Sequence, residues 1–338
     1  MRIFRNLNIN WKIMVGFIIT LIFTIIVGGM AIWRLGEVNK TVNVLTNSLA
    51  NERQLANDID SQIWTVRFYA NKYISNQNIL NLDEYNNEIK KLNDLIQQGQ
   101  GKITNPERAF IFQKIQQDVN NYETTFTEIH KTIEDRENLR TTMLDQQGQV
   151  GEAKLLQLQQ EAYSSGNLSM IEAAGNLYTA FTSMRLETTQ YLLSGDDQSA
   201  QNFGAAYDQA HTIIKRMNGL VDETTKSSFM LAQAAIEGYS SSFQRLQKEF
   251  ASQKTLQGSL DLLGPNIRYN AMNISTNVQE EFTTLSEQTN RAVNQTYPII
   301  IGSMLAAVLF STLLGIFIAR QITRPLHQVM QTSEQIAT

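Results

Sequence analysis

Apolar positions along this chain follow two patterns. In two stretches, Ile13–Trp33 and Tyr297–Ala319, they run on without a charge for twenty-one and twenty-three residues. Either run, as a helix, is long enough to cross a hydrocarbon core about 30 Å thick. In the 34–296 interval the apolar residues instead recur at spacings of 3 and 4, the seam of a helix packed in a bundle. Val119, Tyr122, Phe126, Ile129 and Ile133 form the clearest seam, and Ile236, Tyr239 or Ser240, Phe243, Leu246 and Phe250 form another like it. On helix A the seam reads Val38, Val42, Leu45, Leu49, Ile59, Ile63, Val66 and Tyr73. No alternation of period two competes with these.

Breakers divide the interval into six helices, A to F. A runs from the membrane to about Ser75, and B, with Asp83 or nearby polar groups as cap, ends near Gln98. C starts at Pro106 behind an Asn105 cap and reaches about Tyr163. D ends at Ser194-Gly-Asp-Asp197 and E near Asp222, and F continues into the second apolar run. Pro265, inside F, removes a helical hydrogen bond and is expected to bend or loosen that helix.

The pattern also repeats. At an offset of 118, Ile63, Val66, Arg67, Tyr73 and Ile74 align with Phe181, Met184, Arg185, Tyr191 and Leu192. Tyr85, Leu95 and Ile96 continue that register onto Phe203, Ile213 and Ile214. The seams of C and F match at 117, and Leu144-Asp145-x-x-Gly148 matches Leu260-Asp261-x-x-Gly264 at 116. Four blocks in order imply two related modules, and helix lengths at about 1.5 Å per residue let them stack. The expected fold is all-α: two transmembrane helices flanking six helices in two stacked four-helix bundles. The proximal module takes about 34–135 plus 260–296, and the distal one about 136–259.

Charge orients the chain. Arg2, Arg5 and Lys12 precede the first run and Arg320 and Arg324 follow the second. Flanks rich in Lys and Arg stay cytoplasmic. Residues 1–12 and 320–338 are therefore expected on the cytoplasmic side of a membrane, with 34–296 on its outer side. The absence of cysteine rules out disulfides and thiolate metal sites, and a net charge of −4 gives no sign of a nucleic-acid partner. His130, His211 and His327 lie far apart, and none is read as having a neighbour at i±3 or i±4 suited to a metal or a proton relay. No catalytic constellation, cofactor motif or metal site is expected.

The chain resembles a bacterial methyl-accepting chemotaxis receptor. Phe4-Arg-Asn-Leu-x-Ile-x-x-Lys12, with Gly16-Phe17 inside the first run, is similar to the way such receptors begin. Arg320-x-Ile-Thr-Arg-Pro-Leu326 resembles the entry to a HAMP domain, and the seam Leu326, Val329 or Met330, Ser333, Ile336 fits its first helix. The six helices between resemble a helical bimodular sensor domain. The resemblance implies a homodimeric receptor in the lipid bilayer that meets cytoplasmic signalling partners only through segments beyond Thr338. HAMP also precedes histidine kinases, so the input half of such a kinase is an alternative, and a membrane-anchored helical spacer is another. Below helix B only A and F remain, and Val38, Val42 and Leu45 on A with Val278, Phe282 and Leu285 on F then need partners.

Arginines carry the candidate chemistry. Arg67 lies one residue beyond a core position of A, and Arg185 holds the matching place on D. By helix length Arg268 and Tyr269 on F fall near the level of Arg67, and Arg140 on C near that of Arg185. A guanidinium beside a bundle core needs an anion, and its fork suits a carboxylate. The candidate ligand sites are Arg67, Arg268 and Tyr269 in the proximal module and Arg140 and Arg185 in the distal one. The resemblance implies a small organic acid between the helices; the alternative is an arginine bonded to a nearby Glu or Asp.

Overall fold

The computed structural model describes residues 9–336. Its elements are α1 (Ile9–Asn43), a π turn (Val44–Leu49), α2 (Ala50–Asn76), α3 (Ile79–Gly99), α4 (Pro106–Thr141), a second π turn (Thr142–Gln147), α5 (Gly148–Ser165), α6 (Leu168–Ser194), α7 (Asp197–Met217) and α8 (Lys226–Ile336). No strand occurs among the described residues. Both π turns lie inside uninterrupted helices, so the described residues make six continuous helices, as the breakers imply. Arg2 and Arg5 lie outside the described residues, as do the side chains of the Ile322–Leu326 motif and of His327.

Caps explain the boundaries. Asn105 accepts from the backbone N–H of Glu107 (3.0 Å) at the start of α4, and Asp196 accepts from Ser199 (2.7 Å) at the start of α7. Three expectations change. The cap of α3 is Asn78, which accepts from Leu80 N–H at 2.9 Å, and not Asp83. Helix E ends at Met217, because Asp222 turns outward to cap α8 through Thr225 N–H at 2.9 Å. Pro265 does not interrupt α8, which is helical throughout; its solvent-facing position leaves the lost bond at the surface.

The duplication is visible element by element. α2 and α6 are 27 residues each and begin 118 positions apart; α3 and α7 are 21 residues each at the same offset. Gln77 and Gly195, also 118 apart, both end their helices in the left-handed region, and each donates its N–H to a tyrosine carbonyl, Tyr73 or Tyr191, at 2.7 Å. Tyr85 stacks on Phe126 at 3.5 Å as Phe203 stacks on Phe243 at 3.6 Å. The offset falls from 117 to 116 between Ile133 and Leu144, so α4–α5 holds one residue more than the matching part of α8. The second π turn lies there, and a π turn takes one extra residue into the ladder without breaking the helix.

The chain forms two compact units. The larger, 59–98 and 110–271, contains two cores. In one, α2, α3, α4 and α8 bury Ile63, Val66, Leu92, Ile115, Phe126 and Ile267. In the other, α5, α6, α7 and α8 bury Leu158, Leu177, Phe181, Ala210 and Phe243. The pairs Ile63/Ile267 and Phe181/Gly151 are repeat equivalents with volume exchanged. A β-carbon on Gly151 would lie 2.5 Å from the Phe181 ring, so the large side chain needs the bare backbone.

The smaller unit, 1–58, 99–109 and 272–338, holds both apolar runs. Among the described residues two helices are long and apolar enough to cross a membrane. Phe17, Ile25, Leu305 and Leu313 are exposed along them, and Phe23 stacks on Phe310 at 6.3 Å. Above the runs, Arg108 is buried and bonds Glu52 at 2.8 Å and Glu281 at 2.5 Å, tying α4, α2 and α8 together. Leu45 and Val278, expected to need a second chain, are buried within this unit, while Val42 and Phe282 stay partly open.

Breaking one side of a buried ion pair strands the other charge. Arg108→Met is expected to destabilise the chain by roughly 3–5 kcal/mol, and adding Glu52→Leu to recover most of that. Denaturant unfolding of the full chain in nanodiscs, followed by circular dichroism, measures both. A single variant as stable as wild type would show the cluster to be dispensable.

Candidate functional site

Each repeat lays an arginine stem across a glycine. Arg67 leaves α2 next to a core position, and its stem passes Gly264 of α8 so closely that a β-carbon there would lie 2.5 Å from Nε. Arg185 leaves α6 in the same way, and a β-carbon on Gly148 of α5 would lie 2.9 Å from its Nε. The four residues are the two pairs of repeat equivalents, so each module reproduces one contact. No side chain but hydrogen fits at the glycines without moving the arginine.

A tyrosine completes each constellation. Tyr122 is 1% exposed in the first repeat and Tyr239 is wholly buried in the second, 117 positions on. Burial pushes both phenols above their ordinary pKa; Arg67 pulls Tyr122 back in the other direction, and the Thr188 hydroxyl, ahead of Arg185, does the same for Tyr239. Phe181 meets the Tyr239 ring edge-on at 5.2 Å and holds it in place. The Tyr239 hydroxyl, the Arg185 Nε and the Gln147 Oε1 are buried with no hydrogen-bond partner. Buried polar atoms in that state mark places where a small polar group can be satisfied.

Charge separates the two modules. Arg268 Nε donates to Asp60 at 2.7 Å, and this bond holds the guanidinium pKa above its ordinary value. Among the described residues Arg67 makes no hydrogen bond or ion pair; Asp261 and Tyr122 are close enough to act on the same electrostatics. In the second repeat Arg185 is ion-paired through Nη1 with Glu152. Glu152 also accepts from the Tyr178 hydroxyl at 2.8 Å, and that bond, ahead of Arg185, holds its carboxyl below the usual range.

The expected site residues are thus distributed as follows. Arg67 and Arg268 lie on facing helices, with Arg67 at Gly264 and Arg268 one turn further along α8. Tyr269 is 65% exposed and makes no hydrogen bond among the described residues. Arg140 is bonded to Glu137 of its own helix at 2.6 Å, while Arg185 pairs with Glu152 of α5. The sequence reading missed Tyr122, Tyr239 and Glu152, because tyrosines at seam spacing look like core and a lone Glu looks like surface. It also missed Arg136, half-buried with its guanidinium 4.3 Å from the Phe250 ring centroid. His130 needs correction: Glu134, at i+4, lies 3.6 Å from its Nε2, and Tyr73 bonds its Nδ1 at 2.6 Å. The described residues hold no group of three metal-ligating side chains.

Residues 51–289 match the family model of the helical bimodular sensor domain. The chain belongs to that family. No curated protein sequence matches it significantly. Two cores sharing α8 are what a bimodular domain requires, and this helical sensor domain carries two helices apolar enough to enter a membrane.

Two glycine substitutions separate packing from propensity. Gly258 of α8 has open space around its β position. Gly258→Ala should stabilise the chain by about 0.4–1 kcal/mol, and Gly264→Ala should lower its melting temperature by displacing Arg67. Differential scanning calorimetry compares them, and equal shifts of the same sign would refute the close contact.

Proposed function

We propose that this chain is the sensor half of a transmembrane receptor of the methyl-accepting chemotaxis type, which binds a small organic anion outside the bacterial cytoplasmic membrane. The anion binds between α2 and α8, held by Arg67 and Arg268, and changes the position of one helix against the other. The displacement passes down α8 to a HAMP segment that begins after the second span. The observation that carries this reading is the lack of a counter-ion at Arg67. Its stem is fixed on Gly264 and its head makes no hydrogen bond or ion pair among the described residues; of the charged groups that flank Gly264 on α8, Asp261 forms no ion pair with it and Arg268 is a second cation.

The receptor works as a parallel homodimer. Support comes from the smaller unit, where an open groove lies between Arg34–Thr41 and Leu285–Thr296. Two helices alone leave that groove unfilled, and a second copy supplies the missing pair.

A carboxylate between two guanidiniums makes charge-assisted bonds worth roughly 1.5–3 kcal/mol each. In Arg67→Ala, affinity for a small dicarboxylate such as succinate is expected to fall at least about tenfold while the helical spectrum is retained. Arg268→Ala should behave likewise, less severely, since Asp60 already takes part of its charge. Titration calorimetry on the full chain in nanodiscs reads both. Unchanged affinity in the Arg67→Ala protein would leave that arginine as a surface residue.

A further inference from the structure

The two repeats carry opposite charge at one equivalent position. Arg268 and Glu152 are 116 positions apart, the spacing that relates Gly264 to Gly148, and each lies one helical turn beyond its glycine. Their partners are equivalent too: Asp60 of α2 and Tyr178 of α6 are 118 apart. Apart from Asp261, which precedes Gly264 as Asp145 precedes Gly148, the first repeat sets Arg67, Arg268 and Asp60 around its glycine, an excess of one positive charge. In the second stand Arg185, Glu152 and Tyr178, with no net charge. The same backbone thus presents a cation without a counter-ion in one module and a completed ion pair in the other.

We infer that Glu152 is an internal ligand: its carboxylate takes, in the second module, the place a bound anion's carboxylate takes beside Arg67 in the first, and it closes the second module to anions. The inference rests on the anion reading of Arg67. Three features support it. Glu152 reaches Arg185 from the facing helix, as a ligand would, and not from the helix of the arginine itself. The Tyr178 hydroxyl, in the place of Asp60, donates to the same carboxylate at 2.8 Å and keeps it charged and aimed. Arg140 cannot take over, because Glu137 occupies its Nε and Nη2 at 2.6–3.0 Å. The Arg185 side chain is 28% exposed, so a small solute can reach its head once Glu152 is shortened.

The consequence is a gain of binding on removing a side chain. Glu152 is itself 37% exposed, and Glu152→Ala leaves both cores filled. Acetate is the probe, the full chain in nanodiscs is the protein, and Arg67→Ala is the background that silences the first module. Arg67→Ala alone is expected to bind no acetate by titration calorimetry. Arg67→Ala/Glu152→Ala should bind one acetate per chain, and adding Arg185→Ala should abolish it. Arg185-dependent binding already present with Glu152 intact, or no binding in the double variant, overturns the inference. Failure of the Arg67 reading is seen separately, as equal acid binding by wild type and Arg67→Ala. In that case a gain in the double variant would still identify Glu152 as the closing group.

Discussion

The close approach of an arginine stem to a glycine on the facing helix is the constraint on which both modules turn. A helix that carries a side chain at position 264 or 148 keeps its neighbour at ordinary spacing. Bare backbone there lets the aliphatic part of Arg67 or Arg185 lie flat against it, so the guanidinium emerges at a fixed height beside a buried tyrosine. The direction of the charge is then set by packing and not by a counter-ion. Arg67 can therefore remain unpaired without being free to turn away. An arginine held by its stem, with its head at the edge of the core, is preorganised for an anion, and little ordering is left to offset binding.

Keeping that contact in a duplicated chain requires register. α4–α5 is one residue longer than the matching stretch of α8, and an ordinary helix would rotate every later side chain by about 100° for one inserted residue. Gly148 would then face away from Arg185. The π turn at Thr142–Gln147 takes up the extra residue within the ladder and returns Gly148 to the core face. α8 needs no such turn: it runs through Gly264 and Pro265 as one uninterrupted α-helix.

Much of this was legible in the sequence. Seam spacing identified the helices, Asn105 and the Ser194–Asp197 turn fixed two boundaries, and the offsets of 118, 117 and 116 revealed the duplication. The drift in those offsets even held the π turn, although one inserted residue in a helical pattern looks like a chance mismatch. Arg67 and Arg185 were legible because each stands one residue off a core position. Their partners were not. Helix length put Arg268 near the level of Arg67, but Glu152 and Asp60 are single charges on polar faces, and nothing local distinguishes a residue that reaches across to another helix from one that meets solvent. The cap of α3 was left open between Asp83 and nearby polar groups, because the turn before it is short and the left-handed Gln77 that closes it carries no sequence signature.

The two helices that face each other at the Arg67 site are also the two that carry the apolar runs, and they differ in stiffness. α8 is regular from Lys226 to Ile336 and includes both Arg268 and the second run. Between Arg67 and the first run the ladder is interrupted by the π turn at Val44–Leu49, whose wider hydrogen-bond rings hold a helix less firmly than an α ladder. The Arg108 cluster lies just above that turn on α2 and on α8 itself, where it opposes relative sliding of α2 and α8 through two charge-assisted bonds.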